Sequence, residues 1–187
     1  MICFSYGSNM LSIRMRAPDR VPSAKPLGFG FITGHRLTFD KVSEDQSGKC
    51  DAQATGDRRD RVYGVLYAID KSEKRKLDAV EGFGNGYDEK TVRVAIANGL
   101  KRAVMYYATR KDPARRPYHW YKAFVVSGAV EHGLPFSYIE WLRTTESVED
   151  QNAERRFKNE RLLAAEQLTA GSTRARAKSA LASQRGR

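Results

Sequence analysis

Apolar residues recur along this chain with two periods, and the switches between them mark its elements. Ile2 to Tyr6 reads as a short buried strand. Ser8 or Asn9 can then cap a helix whose inward face is Met10, Ile13 and Ala17, stopped by Pro18. Leu27 to Thr33 and Arg36 to Val42 follow as strands, the second alternating Leu37 and Phe39 against Arg36, Thr38 and Asp40. A polar stretch, Ser43 to Asp60, interrupts before the apolar run Val62 to Ile69. Ser72 starts a helix that packs Leu77 and Val80 and ends at Gly82. Val92, Val94 and Ile96 alternate up to Asn98 and Gly99, a strong hairpin signal, and Lys101 to Thr109 returns as the partner strand. Prolines forbid regular structure between Asp112 and Pro117. Tyr121, Phe124, Val125 and Gly128 then recur at helical spacing until Gly133, and Pro135 opens a helix with Tyr138, Ile139 and Leu142 on one face. From Val148 the pattern predicts a longer charged helix, with Leu168 as its last anchor.

At 187 residues the chain suits one compact domain with an appendage. The expected division is a domain over 1–145, a peripheral charged helix over 146–168 and a basic tail over 169–187, too poor in bulky apolar residues to order itself. Five of the eleven net positive charges fall in 167–187, so the remaining six are ordinary for a basic globular domain. No apolar run approaches the ~20 residues of a spanning helix, and a strand-like segment follows Met1 where a leader would stand, so a cytoplasmic location is the expectation. Cys3 and Cys50 have no motif spacing and read as reduced thiols. His35, His119 and His132 are scattered, so no metal site is expected.

Three groups could carry chemistry. In the turn Tyr6-Gly7-Ser8-Asn9, Gly7 can adopt a backbone conformation closed to other residues, leaving the following amides convergent on an anion. The same tripeptide also suits a plain strand-to-helix turn. Glu81 lies at a helix C-terminus, where the dipole raises a carboxylate pKa towards that of a general base, and a loop rich in Gly82, Gly84 and Gly86 follows it. An exposed glutamate at a helix end fits the same pattern. Of the tyrosines, strand alternation sends Tyr106 and Tyr107 to opposite faces, so at most one lines any given site. Ser8 lacks the Gly-x-Ser-x-Gly frame of a hydrolase turn, since Tyr6 and Met10 stand at the glycine positions.

Four segments in order resemble the γ-glutamylcyclotransferase family: Tyr6-Gly7-Ser8-Asn9-Met10, Leu77 to Gly82 with Tyr87, Tyr121, and Gly128 to Pro135 with Tyr138. The resemblance covers roughly residues 1 to 145. It implies an α+β fold, a small partly closed mixed β-barrel with helices packed on the outside. It implies binding of a γ-glutamyl group by Phe4, Tyr6, Gly7, Ser8, Asn9 and Tyr121, with Tyr87 and Tyr107 near the same cavity, and catalysis by Glu81. The implied reaction is cyclisation to 5-oxoproline with release of a free amine, with no cofactor. Asp51 to Thr55 fits only loosely the segment that forms an inner strand in that family. The other class of function open to this sequence is a non-catalytic barrel whose basic tail docks on RNA or an anionic membrane. The pattern does not fix an oligomeric state, and a homodimer stays open.

Overall fold

The computed structural model describes residues 1–166 and 168. The expected basic tail, 169–187, lies outside the described residues. The chain divides into two compact units, Met1–Glu149 and Asp150–Arg187.

In the first unit, β1 (Ile2–Ser5), β5 (Arg61–Ala68), β2 (Lys25–Thr33), β6 (Tyr87–Ile96) and β7 (Gly99–Ala108) form a closed barrel in that order. Neighbours are antiparallel except where β7 meets β1 in parallel at Cys3 and Val104. That seam closes the barrel, which the family resemblance implied to be partly closed. β3 (His35–Val42) and β4 (Gly48–Ala54) form a separate two-stranded sheet, its register shifting between Thr38 and Lys41.

The expected strands and helices of this unit are present, with three corrections. The first helix is short: a 3-10 turn, Ser8–Met10, leads into α1 (Ser12–Met15), and neither has a side-chain cap. Its buried side is Met10, Leu11 and Met15, whereas Ile13 and Ala17 are half-buried. The polar stretch 43–60 contains β4. Its inward side chains, Cys50 and Ala52, are small, and the fully buried Asp51 pairs with the Ala108 amide at 2.8 Å and with the Lys111 ammonium. This pairing ties β4 to β7. The hairpin has the expected strands, but Ile96 pairs with Gly99, so the loop is Ala97-Asn98 and Gly99, at φ +114°, opens the return strand.

α2 (Lys74–Glu81) ends on Gly82 at φ +69°, the left-handed cap that glycine favours. α3 (His119–Glu131) and α4 (Phe136–Thr144) pack together, with Phe124, Val125 and Leu142 fully buried. Each such side chain contributes about 1.5–3 kcal/mol through burial. α3 also lies against the 3-10 turn, and Gly128 allows this: a Cβ there would stand 2.5 Å from Leu11 N and 2.7 Å from the Met10 carbonyl carbon.

In the second unit a helix runs over residues 153–166. It begins later than Val148 because Asn152 caps it, its Oδ1 accepting from the Arg155 amide at 2.9 Å. Asp150 pairs with Arg155 at 2.6 Å.

Candidate active site

The end of β1, the 3-10 turn, the C-terminus of α2, the start of β6 and the first turns of α3 line one cavity of about 40 Å³. Phe4, Tyr6, Gly7, Ser8, Asn9, Glu81, Tyr87 and Tyr121 all line it, together with Ser5, Cys50 and Tyr106. Residues 4–9 arrive as one chain segment. Glu81 arrives 72 residues after Asn9, because α2 stops on Gly82 beside the turn.

Glu81 is fixed by that turn. Asn9 Nδ2 donates to Glu81 Oε1 at 2.5 Å, and Arg20 Nη1 holds Asn9 Oδ1 at 3.0 Å. Burial raises the Glu81 carboxyl above its ordinary 4.5, against the lowering pull of Arg20, the Asn9 hydrogen bond, Arg14 and Lys41. The direction matches the sequence expectation. The named cause does not: desolvation leads, where the α2 dipole had been expected to.

The role of Gly7 is also different from the expected one. Its φ of −113° is not in the left-handed region that favours glycine. Space favours it, since a Cβ would lie 3.2 Å from Tyr121 Oη and 3.1 Å from Cys50 Cβ, tight contacts that those side chains would have to ease. The amides of Gly7, Ser8 and Asn9 have no acceptor among the described residues, and the next two, of Met10 and Leu11, close the 3-10 turn onto Gly7 O and Ser8 O. Cavity-lining residues therefore offer unspent N–H donors, although the four-residue α1 adds little of a helix dipole. Ser8 Oγ accepts from Arg14 Nε at 3.1 Å. His132 lies near Ser12 Oγ, at 3.3 Å, so no imidazole activates Ser8.

The tyrosines form the far wall. The Cys50 amide donates to Tyr121 Oη at 3.1 Å, and Tyr87 Oη donates to Cys50 O at 2.7 Å, so β4 sets both rings through one residue. Tyr6 Oη donates to Tyr106 O at 2.5 Å. Burial pushes the Tyr6, Tyr87 and Tyr121 phenols far above their ordinary range, which keeps them neutral. It pushes the Cys50 thiol up to about 12, so this cysteine is not a nucleophile at neutral pH.

One expected site residue is misplaced. Tyr107 is outside the cavity, its hydroxyl 3.3 Å from Asp88 Oδ2, and Tyr106 stands in the wall instead, donating to Asp78 Oδ1 at 2.6 Å. Alternation separated the two correctly but could not say which face was inward. The sequence reading also passed over Cys50, Arg14 and Arg20. Cys50 belongs to the strand hidden in a polar stretch, and the arginines look like solvated charge until the turn folds them back.

A model of the AIG2-like family matches residues 61–142. The γ-glutamylcyclotransferase of Homo sapiens is 32% identical over 150 residues, covering 76% of this chain and 77% of that protein. The chain belongs to the γ-glutamylcyclotransferase family. That of Bos taurus is 31% identical over 148 residues with the same coverage. A solved structure named gamma-glutamyl cyclotransferase superposes with a TM-score of 0.76 at 27% identity, over 86% of this chain and 98% of that one. Membership makes the protein an enzyme of the cyclotransferase type and agrees with its barrel. No helix among the described residues is long and apolar enough to cross a membrane.

Proposed function

We propose that the protein cyclises γ-glutamyl compounds, releasing 5-oxoproline and the amine that was attached, with Glu81 shuttling the proton. The observation that carries this reading is the Asn9–Glu81 hydrogen bond. It holds a single desolvated carboxylate against a turn of free amides in one cavity.

The substrate's α-amine is an ammonium at neutral pH, and Glu81 removes its proton. The amine nitrogen then attacks the γ-carbonyl carbon, giving a tetrahedral oxyanion. Glu81 returns that proton to the departing nitrogen as the amide C–N bond breaks, and the second proton of the attacking nitrogen passes through Glu81 to the released amine, which leaves as an ammonium, so no water is consumed. Because the attack is intramolecular, the protein's contribution is to bend the substrate into reach and stabilise the oxyanion. The amides of Gly7, Ser8 and Asn9 suit that second task or the substrate carboxylate. Neutral Tyr6, Tyr87 and Tyr121 shape the wall.

A panel of γ-glutamyl compounds incubated with the protein should give 5-oxoproline and free amine in equal amounts. No release from any member would refute the assignment. The reading also predicts the behaviour of Asn9→Ala. Losing a hydrogen bond to a charged group costs about 1.5–3 kcal/mol, so kcat/KM falls by roughly 10- to 100-fold. Since that bond lowers the Glu81 pKa, the acid limb of the pH–rate profile moves to higher pH in this variant. An unmoved limb would show that Asn9 does not act on Glu81.

A further inference from the structure

Outside the cavity, and sharing Ser8, Asn9, Glu81, Tyr87 and Tyr121 with it, lies a vestibule of about 230 Å³. Four of its lining residues are cations, Arg14, Arg20, Lys41 and Lys49, against the carboxylates of Asp45 and Glu81. Lys49 pairs with Asp45 at 2.8 Å. Arg14 and Arg20 hold Ser8 and Asn9.

Lys41 is the exception. It is only 7% exposed, and its ammonium lies over the Tyr87 ring, 4.6 Å from the centroid, with no ion-pair partner among the described residues. It also stands directly across the β3–β4 pair from Lys49, a juxtaposition of like charges that destabilises a sheet. Gly86 makes room for it: a Cβ there would lie 3.2 Å from Lys41 Cε. Glu81, Glu44 and Asp45 attract it only at longer range, and a shielded cation with no carboxylate in contact is costly unless something else supplies one.

We propose that this vestibule holds the leaving half of the substrate and selects γ-glutamyl compounds whose leaving amine carries two carboxylates, as in γ-glutamyl-glutamate or γ-glutamyl-aspartate. The inference rests on the cyclisation reading above. The γ-glutamyl head brings one ammonium and one carboxylate, which cancel. The vestibule's excess of two positive charges is therefore matched by the other half of the molecule, with Lys41 and one of the two lining arginines, Arg14 or Arg20, as its partners. A neutral side chain on the leaving amino acid leaves Lys41 unmatched.

The test compares kcat/KM for γ-glutamyl-glutamate with that for γ-glutamyl-glutamine, which differ by one charge at nearly constant shape. The expected preference for the glutamate compound is about 10-fold, in the range of one charge-assisted contact, and it shrinks as salt is raised. Lys41→Gln should cut the ratio to about 2-fold, while Lys101→Gln, on an exposed stretch of β7, should keep the parent ratio. If Lys41→Gln does not fold, the parent ratio and its salt dependence still decide the matter. Equal rates, or faster turnover of the glutamine compound, overturn the vestibule assignment and leave the cyclisation reading standing. No 5-oxoproline from any compound overturns both.

Discussion

Replacing Glu81 with Gln is expected to lower turnover by about 10²-fold or more, the loss that follows removal of a general base. The amide keeps the shape and an oxygen to accept from Asn9 Nδ2, so the turn stays in place. Stability should move the other way. Because burial raises the Glu81 pKa, the folded protein binds its proton more tightly than the unfolded chain does. Stability is therefore lost as pH rises from 4.5 through the folded value, a penalty carried by the ionised form. The glutamine variant escapes it. Its Tm at neutral pH should equal or exceed the parent's, and the difference should close in acid. Turnover and thermal melting of the same preparation check both halves. A variant within tenfold of the parent in turnover would remove Glu81 from the chemistry.

The second large effect is expected at Gly128, which lines neither the cavity nor the vestibule. In Gly128→Ala the new methyl would meet backbone, Leu11 N at 2.5 Å and the Met10 carbonyl carbon at 2.7 Å, and neither can move without moving the Ser8–Met10 turn. Overpacking of this kind costs about 1–3 kcal/mol. At roughly 2–4 °C per kcal/mol for a domain of this size, Tm should fall by several degrees. Because the displaced turn carries Asn9 and through it Glu81, kcat should fall as well. Unchanged melting and unchanged kcat would mean that α3 and the turn do not pack as described.

These two positions show where the sequence was readable and where it was not. Gly128 stood out as part of a motif, and Glu81 as a carboxylate at a helix exit, but their physical reasons were visible only in three dimensions. Gly128 is required by the approach of α3 to a turn more than a hundred residues earlier. Glu81 owes its raised pKa to desolvation by segments distant in sequence. Long elements with clear periodicity, β5, the β6–β7 hairpin and α3, were legible because burial on a regular element imposes its period on the residues. β4 was hidden because its inward residues are small and a buried aspartate sits among them, stabilised by partners about 60 residues away. The same long-range pairing places Cys50, and through it Tyr87 and Tyr121. The choice between Tyr106 and Tyr107 also depended on this sheet, because which side of β7 faces the cavity follows from what covers it. Lys41 read as part of an ordinary strand, and its lack of an ion-pair partner emerges only once Gly86 and Tyr87 close around it.

Cyclisation and hydrolysis of a γ-glutamyl amide release the same amine and differ in what becomes of the acyl group. A carboxylate beside a cluster of amides could in principle activate water for hydrolysis. Running the reaction in heavy-oxygen water and weighing the acyl product separates the two. If the amine of the substrate is the nucleophile and Glu81 only moves its proton, the product is 5-oxoproline containing no solvent oxygen. Free glutamate carrying one solvent oxygen would contradict the account.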